Sequence, residues 1–101
     1  MSPKLVFQFP FDELASYEAK ARGYLSHAFV EFDDGGRCPV VFCDPVRLKQ
    51  DLDVDGSEGR SFIAEPGMIV VPEVTREFMK RAVESLFEQG FFNAFKMQRE
   101  K

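Results

Sequence analysis

The densest group of chemically capable side chains is Asp51-Leu52-Asp53-Val54-Asp55-Gly56. Carboxylates at alternate positions can turn toward one hard cation, and a glycine after them permits the sharp bend such a loop needs. Glu58 follows closely enough to complete the set, so Asp51, Asp53, Asp55 and Glu58 are the candidate metal ligands. The plainer reading is a solvated acidic turn, because Asp and Gly favour turns through local hydrogen bonds and positive φ. His27 is the single histidine. In one of two hairpin registers it faces Asp44, and an imidazole oriented by a carboxylate is half of a general-base arrangement. The other half is missing, because strand alternation sends Ser26 and Cys43 to the opposite face. A structural histidine on a sheet face is therefore weighed against a small enzyme using His27 and Asp44.

Over six residues the acidic segment resembles the start of an EF-hand type calcium loop, and that resemblance implies a calcium-binding protein. It stops there. Phe62 occupies the position of the bidentate Glu, Glu58 occupies a position that is normally aliphatic, and the next segment reads as a strand and not as a helix.

Other chemistry finds little support. Cys38 and Cys43 lie in one strand-like segment, whose Cα atoms would stand roughly 16 Å apart when extended, against the roughly 4.4 to 6.8 Å of a disulfide. Two cysteines on opposite faces and one histidine do not match the paired short spacings of a zinc site, so buried thiols are expected. No G-x-G-x-x-G or phosphate-loop pattern is present, and no cofactor is expected. The aromatic residues Phe7, Phe9, Phe11, Phe29 and Phe32 stand among too few cations to read as a nucleic-acid platform.

Near the end of the sequence Phe91, Phe92, Phe95 and Met97 come after a helix that Gly90 closes. They either fold back over the core or form an apolar patch for a partner or a second copy of the chain. They are the candidate partner-binding residues.

The composition frames these candidates. The 101 residues suit a single domain spanning 1–101, with 45% hydrophobic and 30% charged side chains and twelve phenylalanines to build a core. The formal net charge of −4 opposes nucleic-acid binding, which draws most of its affinity from phosphate neutralisation. The longest apolar runs are far short of the roughly 20 residues that cross a bilayer. Residues 1–11 read as a strand and not as a secretory leader. A reduced cytoplasmic setting is expected.

The elements that must position these residues are legible from periodicity. Alternation predicts a strand over 5–9. Residues 12–22 predict a helix capped by Asp12 and closed by Gly23, with Leu14, Tyr17 and Ala21 facing inward. Strands are predicted over 24–32 and 37–43, with Asp33-Asp34-Gly35-Gly36 as the hairpin turn. An Asp34-Gly35 turn pairs His27 with Phe42; a Gly35-Gly36 turn pairs Phe29 with Phe42 and His27 with Asp44, and cross-strand chemistry favours the second slightly. A short helix over 46–52 starts from Asp44 as cap with Pro45 at its first position. Residues 51–59 read as a loop. Residues 61–64 and 68–71 read as two short strands around Pro66-Gly67, or as one strand entered through that turn. The unbroken Met68-Ile69-Val70-Val71 run predicts a central strand buried on both faces. The last helix carries Val74, Phe78, Met79, Ala82, Val83, Leu86 and Phe87 at helical spacing, with Thr75 or Pro72 at its start and a Schellman closure at Gly90.

The expected fold is α+β: a mostly antiparallel four- or five-stranded sheet with two helices on one face, in the order β-α-β-β-(short α)-β-α. A ferredoxin-like topology is the alternative. The expected function is a small acidic non-catalytic protein-interaction domain, an inhibitor or regulator of a basic protein partner. The expected partner is another protein or a second copy as a homodimer, with neither nucleic acid nor membrane.

Overall fold

The computed structural model describes residues 3–57 and 63–93. They form β1 (Lys4–Phe7), α1 (Glu13–Arg22), β2 (Tyr24–Glu31), β3 (Arg37–Cys43), α2 (Pro45–Ser57), β4 (Met68–Val70) and α3 (Arg76–Glu88). The four strands make one sheet in the order β1-β2-β3-β4. The fold is a small α+β arrangement of a mixed sheet and three helices.

Two of the three pairings are antiparallel, and β3 with β4 is parallel. A parallel neighbour needs a crossover, and α2 supplies it. The consequences correct three expectations. β4 stands at an edge of the sheet and not at its centre, and Val70 is 48% exposed. The helix after Asp44 runs 13 residues, through the segment expected to be a loop. Strand order follows the sequence, whereas a ferredoxin-like split would interleave strands. Of the expected 61–64 strand, Ser61 and Phe62 lie outside the described residues, and Ile63 and Ala64 are not in a strand.

One face of the sheet carries the core. Val30, Val40 and Phe42 from the central strands meet Ile69, Val71, Val74, Met79, Val83 and Phe92, all buried. Alternation along each strand puts these side chains on one side. Both α1 and α3 pack there: α3 through Met79 and Val83, α1 through Ala19. No α2 side chain joins this cluster among the described residues.

Helix α1 begins and ends as expected. The Asp12 carboxylate accepts from the Ala15 N–H at 2.9 Å, and Gly23 closes the helix at φ +66° with its N–H donating to the Ala19 carbonyl. Its inward face differs from the predicted stripe. Leu14 is 65% and Tyr17 72% exposed, Ala21 is exposed, and Ala19 is the buried residue. One residue, Gly23, joins α1 to β2, so the strand fixes the rotation of the helix. The side that then meets the sheet carries Ala15, Ser16 and Ala19, small enough for close approach.

The β2–β3 register matches neither predicted turn. Phe32 N–H donates to Gly36 and Gly35 N–H to Phe32, enclosing residues 33–35 in a three-residue loop with Gly35 at φ +85°. Ala28 then pairs with Val40 and Phe29 with Pro39, while Leu25 pairs with Phe42. Ser26 and His27 together face one residue of β3, which makes a β-bulge with His27 at φ +62°. The bulge returns both Leu25 and Ala28 to the core face; a regular strand would turn one of them outward.

Helix α3 follows the predicted pattern. The Thr75 hydroxyl accepts from the Phe78 N–H. At the other end Phe91 N–H donates to Leu86 and Gly90 N–H to Phe87, the two bonds of a Schellman motif. No helix among the described residues is long and apolar enough to cross a membrane.

Candidate functional site

The acidic segment is helical over its described part. Arg47 donates to both carboxylate oxygens of Asp51 at 3.1 Å, and Lys49 pairs with Asp53 at 3.1 Å, each one turn away. Side chains two apart on a helix diverge, so Asp51 and Asp53 do not converge on one point as they would in an extended loop. The side chain of Asp55, and Glu58 entirely, lie outside the described residues. Among the described residues no group of three or more His, Cys, Asp or Glu is placed to hold a metal ion.

His27 and Asp44 are not partners. Asp44 caps α2, its carboxylate accepting from the Arg47 N–H at 2.8 Å, with Pro45 at the first helical position as predicted. His27 is exposed on the bulge with its Nδ1 2.9 Å from the Ser26 hydroxyl. Strand alternation had separated Ser26 from His27, and the bulge overturns that. The two sit in a groove of about 390 Å³ between α1 and β2, with Glu18, Arg22, Tyr24 and Phe9 on its walls. A hydroxyl against an imidazole is a nucleophile–base contact in form. Among the described residues nothing holds the far ring nitrogen, and Glu18 is committed to Arg22 at 4.0 Å.

Both cysteines are free and buried. Cys38 belongs to the core, while Cys43 lies outside that cluster beside the start of α2. Burial, then the Asp44 and Glu65 carboxylates, pushes the Cys43 thiol up, which is the direction of an inert thiol. Nearby, Tyr24 donates to Glu65 at 3.2 Å with the Arg47 guanidinium 4.9 Å above its ring. Burial and Glu65 raise the Tyr24 phenol as well. This cluster ties β2 to α2 and to the turn before β4, and its polar groups are spent on one another.

The C-terminal aromatic residues divide. Phe92 is buried at 2% and packs against Phe32 and Phe91, with ring centroids 5.4 and 5.2 Å away. It belongs to the core, the fold-back reading. Phe91 is 39% exposed. Phe95 and Met97 lie outside the described residues.

A second groove, of about 330 Å³, runs between β1 and α3. Lys4, Leu5 and Phe7 form its strand wall, and Arg76, Lys80 and Glu84 its helix wall at successive turns. β1 is an edge strand. Gln8 N–H donates to His27, in register with the β1–β2 pairing. In an antiparallel ladder hydrogen-bonded and non-bonded pairs alternate, so Lys4, Val6 and Gln8 bond inward to β2. The N–H and C=O of Leu5 and Phe7 then point away from the sheet. No backbone partner for them exists among the described residues. Little in the local sequence marks this site, because edge status belongs to the strand order. Lys4 between apolar neighbours was the one available signal, since lysine is a common edge-strand residue.

Compared with known proteins, the chain matches no family model, no curated protein and no solved structure.

Proposed function

We propose that this chain is a non-catalytic protein-interaction domain that takes an extended segment of its partner as an added strand on β1. The observation that carries the reading is the β1–β2 register, which directs the N–H and C=O groups of Leu5 and Phe7 away from β2 on the strand that lines the groove with α3. Strand addition draws its affinity from such main-chain bonds and its selectivity from the pockets beside them. Helix α1 adds a second contact surface, because Leu14, Tyr17 and Ala21 form an apolar stripe at helical spacing that faces solvent.

The test uses amide hydrogen exchange on the full chain against a panel of extended octapeptides, one neutral, one acidic and one basic. At least one peptide is expected to slow exchange at Leu5 and Phe7 while leaving Lys4 and Val6, already bonded to β2, unchanged. If no peptide slows exchange at Leu5 or Phe7, the reading is wrong.

A further inference from the structure

We infer that the strand received by β1 is acidic, an extended partner segment with carboxylates at alternate positions; this rests on the strand-addition reading above. Nine Lys and Arg side chains fall within the described residues, and six of them form ion pairs: Lys20 with Glu73, Arg22 with Glu18, Arg37 with Glu31, Arg47 with Asp51, Lys49 with Asp53 and Arg81 with Glu77. The three that form none among the described residues are Lys4, Arg76 and Lys80, and all three line the groove beside β1. In a chain of net charge −4, this positive charge gathers at a sheet edge whose backbone groups point outward.

Local geometry explains why Lys4 and Arg76 have no carboxylate partner among the described residues. Lys4 stands opposite Glu31 in the ladder, but Arg37 engages that carboxylate at 3.5 Å. Arg76 donates to the Phe11 carbonyl at 3.0 Å and lies over the Phe7 and Phe11 rings, which fixes its guanidinium at the groove without a counter-charge. Lys80 is one helical turn further on. Among the described residues Glu84 is the single carboxylate of the lining, against three cations.

Charge also selects among occupants. A second copy paired edge to edge through β1 would bring two sets of these cations together, and lysine on an edge strand is a known guard against that pairing. A basic segment meets the same repulsion. An acidic one gains from each exposed cation and from faster encounter at low salt. The expectation of a basic partner drew on the total charge, whereas the groove itself has the opposite sign.

The deciding experiment compares alternating Val-Glu, Val-Thr and Val-Lys octapeptides on the full chain, by titration and by exchange at the Leu5 and Phe7 amides. The Val-Glu peptide is expected to bind about tenfold more tightly than Val-Thr at low salt, through one or two partly screened ion pairs. The advantage is expected to shrink at about 0.5 M salt. Both Lys4 and Lys80 are exposed, so Lys4→Glu with Lys80→Glu keeps the fold and is expected to turn the preference toward Val-Lys. Equal binding of Val-Glu and Val-Thr, with both amides protected, would leave strand addition standing and remove the acidic partner. Acidic binding with unprotected Leu5 and Phe7 places the ligand elsewhere and overturns the inference. Failure of all three peptides to protect those amides removes both proposals. A free chain that is dimeric by sedimentation, with those amides already protected, makes a second copy the occupant and also overturns it.

Discussion

Helices α2 and α3 are each 13 residues long, and each starts at a capping side chain, Asp44 for α2 and Thr75 for α3. Their roles in the fold nevertheless differ. α3 buries Met79 and Val83 and stacks Phe78, Ala82, Leu86 and Phe87 on the core. α2 leaves Val46, Leu52 and Val54 exposed and relies on ion pairs one turn apart and on the Arg47 contacts with Tyr24 and the Arg22 carbonyl. Exposed pairs of that kind contribute little, whereas a fully buried aliphatic side chain contributes about 1.5–3 kcal/mol. Length and capping therefore make a helix, and the apolar face decides whether the fold depends on it. α2 is chiefly a connector that turns β4 parallel to β3.

The contrast can be broken by substitution. The largest effect is expected at Met79→Ala, where deleting a fully buried side chain from α3 costs about 2–5 kcal/mol. The measurement is the urea midpoint at constant m-value, and a loss similar to that of Leu52→Ala on α2 would erase the distinction. Next is Gly23→Ala. A Cβ there stands 2.5 Å from both Asp44 carboxylate oxygens, and the backbone sits at φ +66°. Strain together with the displaced α2 cap is expected to cost about 2 kcal/mol. Gly35→Ala serves as the control, because its surroundings are open and it carries strain alone.

A smaller effect depends on pH. Burial, with carboxylates behind it, raises both the Cys43 thiol and the Tyr24 phenol, so the folded state favours their neutral forms. Their contribution is complete below the ordinary thiol value, about 8.5, and is lost as pH climbs past it; Tyr24 follows above about 10. Denaturation curves from neutral to strongly alkaline pH are expected to show stability falling, with the earlier part of the fall absent in Cys43→Ala. A flat profile in the parent protein would contradict this account of the β2–α2 junction. The smallest effects are expected at Leu52→Ala and Lys49→Ala on α2, each within about 0.5 kcal/mol. A clear loss at either would show that α2 is anchored more firmly than its exposure indicates.

Some of this was legible in the sequence. Asp12 and Gly23 bound α1, Asp44 and Pro45 start α2, and Thr75 and Gly90 bound α3, each through hydrogen bonds that close within a few residues. The Pro66-Gly67 turn obeys the same logic, with Met68 N–H donating to Glu65. The candidate site was far less legible. Counting alternation along β2 placed Ser26 and His27 on opposite faces, but the bulge that joins them exists because Leu25 and Ala28 both find burial. Leu14 and Tyr17 looked like a core stripe, yet the link through Gly23 set the rotation of α1 and left Ala19 to pack. The Asp51 and Asp53 carboxylates suggested a cation loop, while helical geometry gave each a partner one turn away.

By itself the sequence determined where most helices and turns start and stop, since those bonds are made between near neighbours and outweigh local alternatives. Contacts between distant segments set the rest: β4 lies parallel at one edge, β1 forms the other edge among the described residues, and Lys4, Arg76 and Lys80 line one groove. Those residues come from the two ends of the described chain, and burial of the shared core, a contest among distant segments, is what brings them together.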